Sequence, residues 1–420
     1  MHFHPVPAAC AGVSSAWAQG HCGGRTDFRG GRRMNLKMWQ EELREILPQV
    51  RAYYRDFHQH PELSGQEVRT ADIIASALNS LGVEVTRFEG CHGLMGTLRN
   101  GEGKCVAIRA DMDALPVTEA SHIDCPSTVE GVMHACGHDV HMALALGSCL
   151  WLSQNRDKWS GTVKWLFEPA EETIGGGKMM VEQGCMENPH VDVVIGQHVN
   201  PNYEAGKVYT KPGYVSGASD ELFITVTGRS CHGAYPEKGV DAIVIAAQIV
   251  TALQSLVSRR CSPFEPAVVT IGTISGGTAN NIICGEVKMH GTIRTLSPKT
   301  REMLRYAVME TVSGIATGMG GEAEATIRPS YGAVFNHEGY HAIVESTVKE
   351  LLGEDALILR QQPSLGVESF CYFVEKTPGV YYDIGCGVGT ALHTPTFCAS
   401  EDCLLPGVAL QCANVLALLK

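Results

Sequence analysis

The chain has 420 residues, a hydrophobic fraction of 44%, a charged fraction of 19% and a formal net charge of -12. That length predicts two domains, and that composition is typical of a folded, soluble protein. The acidic balance argues against nucleic acid as a partner, because binding phosphates needs a basic face. The apolar stretches are interrupted before they reach a membrane-spanning length, which argues against a membrane protein.

The sixteen cysteines are scattered without a repeating spacing. This favours reduced, buried thiols and a reducing, cytoplasmic compartment over a disulfide framework. Regular apolar periodicity begins only near Met38. We interpret residues 1–36 as a disordered leader, or as an over-extended start upstream of Met34. A third interpretation is a targeting segment, because Ala16-Trp17-Ala18 loosely resembles a signal-peptidase site, although no Lys or Arg precedes it.

The first half of the chain predicts helices alternating with short apolar strands. Helices are predicted at Trp39–Phe57, which Pro48 would bend or divide, at Thr70–Leu81 and at His141–Leu152. Strands are predicted at Val83–Phe88, Leu94–Leu98, Cys105–Ala110, Thr162–Phe167 and Val191–Gly196. This alternation is typical of a parallel or mixed α/β sheet flanked by helices. We assign residues 37–212 to the first part of a catalytic domain.

From about Gly213 the order of the predicted elements changes. Strands are predicted at Glu221–Thr227, Ala267–Ile274, Glu286–Arg294 and Glu324–Arg328, and helices at Asp241–Ser258 and Pro298–Gly314. The order βαββαβ is that of a ferredoxin-like unit, which we interpret as an inserted domain over residues 213–328. Residues 329–420 then resume α/β character, so the catalytic domain is predicted to be discontinuous.

Two segments carry closely spaced groups that can bind metals. In HACGHDVH (134–141), Cys136 and His138 have the spacing of soft-metal ligands at a Gly-containing loop. A polar helix start beside a core cysteine would give the same pattern. In EPAEE (168–172), two adjacent carboxylates follow a predicted strand, where α/β sheets place their active sites. A solvated acidic helix start is the alternative interpretation.

Two further histidines occupy similar positions. His198 follows the strand predicted at Val191–Gly196, and His393 follows a Gly-rich turn that begins at Gly385. A single histidine is more often structural than a ligand. Four separate segments that offer Cys, His, Glu, His and His near strand ends nevertheless predict one shared metal site.

Six segments, in chain order, resemble one family. They are FHQHPELS (57–64), RADMDALP (109–116), CGHD (136–139), EPAEE (168–172), QHV (197–199) and HTP (393–395). The family is the amidohydrolase branch of the aminoacylase/carboxypeptidase-type metallopeptidases, which includes hippurate hydrolases and plant auxin-conjugate hydrolases. The resemblance extends from about Trp39 to the C-terminus.

The resemblance implies a site for two divalent metal ions. Its ligands would be Cys136, His138, Glu172, His198 and His393. A thiolate at Cys136 would bridge the two ions, for which zinc or manganese is favoured and cobalt or nickel stays open. Asp111 would orient a ligand from behind. Arg109 stands where the wider family has a metal-binding histidine, and His138 is expected to supply that imidazole.

The resemblance also implies roles around the reacting bond. Glu171 would be the general base, taking a proton from a metal-bridged water and delivering it to the leaving amine. His232 would stabilise the oxyanion, often in the active site of a dimer partner. Asn281 would bind substrate, and Arg294 would hold its free α-carboxylate, unless it is an ordinary surface arginine.

The resemblance implies metal-dependent hydrolysis of the amide bond of N-acyl, hippurate-like amino acids. It also favours a homodimer, or a dimer-based tetramer, in which the inserted domain serves as a lid or dimerisation domain. The alternatives are a dipeptidase or aminoacylase on the same scaffold and a catalytically idle binding protein. The presence of every expected ligand and of Glu171 argues against the last. Glu168 stands where relatives commonly have Gln, and Ser369 where they have Asp. We expect these two departures to change substrate preference more than catalysis.

Overall fold

The computed structural model of the protein describes residues 36–420. In this part of the chain the helices are α1 (Leu36–Gln59), α2 (Val68–Ser80), α3 (His138–Gln154), α4 (Gly177–Glu182), α5 (Ala242–Arg260), α6 (Pro298–Gly318), α7 (Glu338–Leu352), α8 (Cys371–Val374) and α9 (Leu404–Leu418). The leader predicted over residues 1–36 lies outside the described residues, except for Leu36, which begins α1.

The strands of the described residues are β1 (Glu84–Arg87), β2 (Leu94–Asn100), β3 (Cys105–Asp111), β4 (Gly161–Glu168), β5 (Val193–Asn200), β6 (Val208–Thr210), β7 (Gly213–Ser216), β8 (Ala218–Thr227), β9 (Ala267–Gly276), β10 (Glu286–Thr295), β11 (Glu322–Pro329), β12 (Val334–Asn336), β13 (Leu357–Leu359) and β14 (Gly379–Gly385). They form two sheets, one of ten strands and one of four.

The ten-stranded sheet is mixed. Its order is β1-β2-β4-β3-β5-β14-β12-β7, and β6 pairs with both β13 and β14. The central strands β4, β3, β5 and β14 run parallel, whereas β1, β2 and β7 pair antiparallel. Strands β1–β7 precede the small sheet in the chain and β12–β14 follow it, so two separate segments build one sheet. The predicted mixed α/β fold with flanking helices is confirmed.

Successive side chains of the central strands point to opposite faces of this sheet and are apolar on both. Both faces are therefore covered by helices. In β3, Val106 and Ile108 join the core that packs under α1, α3 and α9, while Cys105 and Ala107 join the core beneath α4 and α8. All seven residues of β3 are buried. A strand buried on both faces reads as a continuous apolar run, as this one does.

The four-stranded sheet has its own core. Its order is β11-β8-β10-β9 and every pair is antiparallel, which is the strand order of a ferredoxin-like βαββαβ unit. Leu222, Ile249 and Leu304 are fully buried within it. Both helices begin at side-chain caps: Asp241 accepts hydrogen bonds from the first turn of α5, and Ser297 accepts one from Thr300 in α6. The role of this unit as a lid or dimerisation domain stays a prediction.

Most element bounds differ from the sequence prediction by a few residues, and three of these differences have a clear structural basis. Helix α1 continues past Pro48, because burial of Ile46 and Val50 against the core offsets the lost backbone hydrogen bond. Helix α3 begins at His138 rather than at His141, directly after Gly137. Strand β5 continues to Asn200, because it pairs with β14 over its whole length, so His198 lies within the strand and not after it.

Among the described residues, two helices are long and apolar enough to cross a membrane by length and composition alone: α5, and the segment Glu401–Leu418 that contains α9. The expectation that apolar stretches are too short for this was therefore wrong. Both helices pack on a sheet; 67% of the second is buried, and α5 buries one side against the small sheet. All fourteen cysteines in the described part are free, and ten of them are buried.

Candidate metal centre

The polar side chains of the site come from one edge of the large sheet. Asp111 is the last residue of β3, Glu168 is the last residue of β4, and His198 lies near the end of β5. Since β3, β4 and β5 run parallel, their carboxyl ends meet at this edge, which is where open α/β sheets place ligands. Helix α3, which starts at this edge, contributes His138.

The structure brings all five predicted ligands together, in two groups that share Cys136. One group is Cys136, His138 and His198; the other is Cys136, Glu172 and His393, and within each group the ligand atoms lie within 4.8 Å of one another. Cys136 Sγ lies 3.5 Å from His198 Nε2 and 3.2 Å from His393 Nε2. His393 Nε2 lies 3.1 Å from Glu172 Oε1.

Backbone carbonyls orient two of the imidazoles toward this cluster. Nδ1 of His138 donates to the carbonyl of Asp113 at 2.8 Å, and Nδ1 of His198 donates to the carbonyl of Val199 at 2.7 Å. With the proton on Nδ1, each ring presents the lone pair of Nε2 to the cluster.

A buried ring nitrogen without a partner indicates that the cluster is built for cations. His138 Nε2 is buried and has no hydrogen-bonding partner. Leaving a polar atom in that state costs roughly 1–3 kcal/mol, which a bound cation would offset. A thiolate, three imidazoles and a carboxylate are also a donor set that suits zinc and related divalent ions. The residues present therefore fit a metal centre.

Two unusual backbone conformations hold the ligand loops. Gly137, between Cys136 and His138, has φ +82°, and a Cβ there would lie 2.4 Å from Val199 Cγ2. Only glycine fits both constraints. His393 has φ +62°, and its backbone N–H donates to the carbonyl of Ala135 at 2.8 Å. A non-glycine residue in this region costs on the order of 1–3 kcal/mol, so the fold maintains His393 in a strained conformation at the cluster.

Asp111 lies behind the candidate ligands, with Oδ2 3.7 Å from His138 Nε2. His141 Nδ1 donates to Asp111 Oδ1 at 2.5 Å, and the backbone N–H of Val199 donates to His141 Nε2 at 2.9 Å. Since both ring nitrogens of His141 are engaged, this histidine positions Asp111 and is not a ligand. Burial favours the protonated acid, but Arg109, His138 and His141 hold the pKa of Asp111 well below its ordinary value.

His141 had no role in the sequence prediction. The signal that could have found it is its spacing, three residues after His138, because residues three apart share a face of a helix. Asp113, whose carbonyl orients His138, also had no separate role in the sequence prediction and was named only within the RADMDALP motif.

The predicted base lies beside the cluster. Carboxylate oxygens of Glu171 and Glu172 and a ring nitrogen of His138 form a group within 4.8 Å. The backbone N–H of Ser369 donates to Glu171 Oε1 at 3.2 Å. Burial, and then the neighbouring Glu368, raise the pKa of Glu171 well above its ordinary value, whereas Arg109 and His138 oppose this shift. Divalent cations in the cluster would lower the pKa further and favour the ionised base.

The three predicted residues of the small sheet lie elsewhere. His232 and Asn281 occupy neighbouring exposed loops, joined by a hydrogen bond from the N–H of Gly233 to the carbonyl of Asn281 at 2.7 Å. Arg294 is half-buried in β10, one residue before its end. Within the described part of the chain, no hydrogen bond or ion pair connects these three residues to the five ligand side chains.

A mixed α/β sheet whose carboxyl edge carries a cluster of metal-binding side chains around a shared thiol, with a second glutamate beside it, is typical of metal-dependent hydrolases. Residues 107–416 match the family model for peptidase family M20/M25/M40, and the chain belongs to this family. The resemblance drawn from the sequence motifs is thereby confirmed.

Several similar proteins have names that state an activity or metal binding. The chain is 39% identical over 307 residues to an N-acyl-L-amino acid amidohydrolase of Geobacillus stearothermophilus, which covers 72% of this chain and 82% of that protein. It is 35% identical over 352 residues to N-acetylcysteine deacetylase of Bacillus subtilis, covering 83% and 91%. A Bacillus subtilis protein described as a dinuclear metal-binding peptidase of the M20 family superposes with a TM-score of 0.78 at 30% identity, covering 90% of this chain and 99% of that one.

Proposed function

We propose that this protein is a metal-dependent amidohydrolase that cleaves N-acyl, hippurate-like amino acids into a carboxylic acid and a free amino acid. The observation that carries the proposal is the ligand cluster around Cys136 with Glu171 directly beside it. The substrate class is supported by the names of two relatives, an N-acyl-L-amino acid amidohydrolase and an N-acetylcysteine deacetylase.

Two cation positions follow from the two ligand groups. Cys136, His138 and His198 would hold one ion, and Cys136, Glu172 and His393 the other. Zinc or manganese suits this donor set best, with cobalt or nickel as alternatives. When bound, divalent cations supply Lewis-acid activation of water and of the scissile carbonyl.

The side chains of this protein would then move one proton. Glu171 takes it from the attacking water and delivers it to the leaving amine nitrogen, so that the amine departs neutral. The N–H of Ser369 engages Glu171 Oε1 and leaves the other oxygen to carry the proton. His232 would stabilise the oxyanion, Asn281 would bind substrate and Arg294 would hold the α-carboxylate. These three residues would reach the cluster from the small sheet of the same chain or of a second copy.

We also propose that the protein is a homodimer paired through the small sheet. Strand β9 is an edge of this sheet, and most of its side chains are exposed. Beside it, α5 has no charged residue from Ala242 to Ser258 and exposes Ile243 and Val244, at 49% and 46%. An uncharged edge next to an uncharged helix face suits pairing with an identical surface. The free thiols support a reducing, cytoplasmic location, and the net charge of -12 supports the absence of a nucleic-acid partner.

The test is turnover by metal-stripped protein reconstituted with each of zinc, manganese, cobalt and nickel. The substrates are N-acetyl and N-benzoyl amino acids, unmodified dipeptides, and the matching N-acyl amino acid amides, whose carboxylate is neutralised. We expect N-acyl amino acids to react fastest and their amides poorly. Preference for the dipeptides would instead favour the dipeptidase alternative. No turnover by protein that binds two ions per chain would favour an idle binding protein.

A further inference from the structure

Arg109 forms the centre of a buried polar network next to the ligand cluster. Its side chain, on β3, is only 2% exposed. Nε donates to Glu168 Oε2 at 2.6 Å, Nη1 to Asp111 Oδ2 at 2.5 Å and Nη2 to Ser369 Oγ at 2.6 Å. Nη2 also lies 3.1 Å from Glu368 Oε1. One guanidinium therefore faces three carboxylates and one hydroxyl, and a planar five-donor group can hold them all at once.

The three carboxylates are fixed on their far sides as well. Glu168 Oε1 accepts from the N–H of Gly177 at 2.6 Å, and Glu368 Oε2 accepts from the hydroxyl of Tyr381 at 2.7 Å. Asp111 Oδ1 accepts from His141. Because each carboxylate has a second donor, the guanidinium has little freedom to move, and the loss of one contact leaves charge unpaired in the interior.

The network connects the proposed base to the back of the ligand cluster. On one side Arg109 holds the hydroxyl of Ser369, whose backbone N–H donates to Glu171. On the other side it holds Asp111, whose Oδ2 lies 3.7 Å from His138 Nε2. Arg109 and Ser369 are 260 residues apart, one before the small sheet and one after it, so this contact also joins the two segments of the large sheet.

We propose that Arg109 is a positioning residue that fixes Glu171 relative to the ligand cluster, acting through Ser369 on one side and Asp111 on the other. On the third side, Glu168 supplies one of the three carboxylates that balance the charge of Arg109. The inference rests on the proposed function, because it assigns a purpose to the placement of the base. Misplacement of a reacting group by about 1 Å can cost on the order of 100-fold in rate, so a rigid link between base and ligands matters to kcat.

The first test removes one acceptor of Arg109. Ser369→Ala deletes the hydroxyl and keeps the backbone N–H that contacts Glu171. We expect kcat to fall roughly tenfold, the loss of one charge-assisted hydrogen bond, with KM within about twofold and an unchanged metal content. The matched control is Ser216→Ala, since Ser216 is also buried and its hydroxyl has no partner. A kcat for Ser369→Ala equal to that of the control would overturn the proposal.

The second test moves the carboxylate from one edge of the guanidinium to another. Glu168→Gln keeps an oxygen for the N–H of Gly177 but removes the charge, and Ser369→Asp adds a charge at Nη2. We expect each single variant to lose roughly tenfold in kcat. The double variant should keep at least about threefold more kcat than the product of the two single residual activities predicts. Independent, multiplicative effects would contradict charge balance at Arg109.

A third variant and a second readout keep this test separate from the proposed function. Arg109→Lys keeps the charge but cannot span the four acceptors, so kcat should fall further than in Ser369→Ala. The same coupling between positions 168 and 369 should appear in the midpoint of thermal unfolding, measured with the metal-loaded protein. If the wild-type protein turned over none of the substrates, the proposed function would fail, and additive unfolding midpoints would still overturn the network.

Discussion

Cys136 is the residue on which the whole centre depends, because it belongs to both ligand groups. Burial raises the pKa of its thiol well above the ordinary value, whereas His138 opposes the shift. A bound divalent cation deprotonates a coordinating thiol and so reverses the effect of burial. We therefore expect metal binding at this site to release a proton and to weaken as the pH falls.

Replacement of Cys136 by Ala should lower the metal content of the purified protein by at least one ion per chain. Both groups would lose their shared ligand, and thiolate ligation is a major part of the affinity for zinc. Elemental analysis after dialysis measures this. Cys149→Ala is the control, since Cys149 is also buried but lies on α3 away from the ligand groups. An unchanged metal content would remove Cys136 from the ligand set.

Replacement of Glu171 by Gln should lower kcat by roughly 100-fold or more, because an amide cannot accept the proton from water. Metal content should stay close to wild type, since Glu171 is the predicted base and not a predicted ligand. Glu182→Gln, on the exposed side of α4, serves as the control and should keep wild-type activity. Near-normal turnover by the Glu171 variant would show that another group acts as the base.

The clustering of the five candidate ligands and Glu171 could be predicted from the sequence, because each of these residues lies in a short motif. The supporting residues could not, since their partners are distant in the chain. Arg109 was interpreted only as the replacement of a histidine, and its contact with Ser369 spans 260 residues. No local pattern reveals a pairing of that kind.

At the scale of elements, the end of α1 is tied to the start of α3 through a buried histidine. His58 Nδ1 lies 2.6 Å from Asp139 Oδ2, and His58 Nε2 lies 3.2 Å from Glu119 Oε1. Burial alone would lower the pKa of His58, but the two carboxylates raise it to about 10. Since Asp139 directly follows His138, this interaction anchors the helix that carries a predicted ligand.

The pKa of His58 predicts how stability depends on pH. A pKa raised from 6.5 to about 10 in the folded state stabilises the fold fully below pH 6.5, and this contribution is lost as the pH rises toward 10. His58→Gln should therefore lower the thermal unfolding midpoint most at pH 6 and least near pH 10. His190→Gln, at an exposed histidine paired with Glu187, is the control. A deficit that stays constant over this range would show that His58 is not held protonated.

The existence and order of the helices and strands in the inserted unit could be predicted, because each one alternates or repeats within its own segment, although individual bounds differ from the structure by up to four residues. The C-terminal end of β5 could not be predicted. Its last four residues belong to the strand because β14 pairs alongside them, and β14 is formed by residues 379–385. Strand ends of this kind are set by tertiary pairing and not by local propensity.

At the scale of the whole molecule, the small sheet has a core of its own and an open edge. The proposed dimer predicts that a charge on that edge prevents assembly. Ile274→Lys, at a residue of β9 that is 56% exposed, should give a monomer by sedimentation velocity, whereas the wild type should be a dimer. Turnover should fall as well if His232 acts in the site of the partner.

The control for the dimer is Leu359→Lys. Leu359 lies in β13, which pairs only with β6 among the described strands, and it is 46% exposed. It therefore offers a similar exposed apolar position on the other sheet, and its variant should remain dimeric. If both variants remained dimeric, or if both became monomeric, pairing through β9 would be contradicted.

The position of β14 in the large sheet determines the order in which this protein can mature on the ribosome. The strand pairs in parallel with β5, and the loop after it supplies His393, 257 residues after Cys136. A nascent chain that has emerged only as far as the small sheet contains four of the five candidate ligands, namely the thiol, two imidazoles and the Glu172 carboxylate, but neither β14 nor His393. The inserted unit, by contrast, has every strand it needs once Pro329 has emerged. During translation the insertion should thus fold first, and the metal should enter only near the end of synthesis.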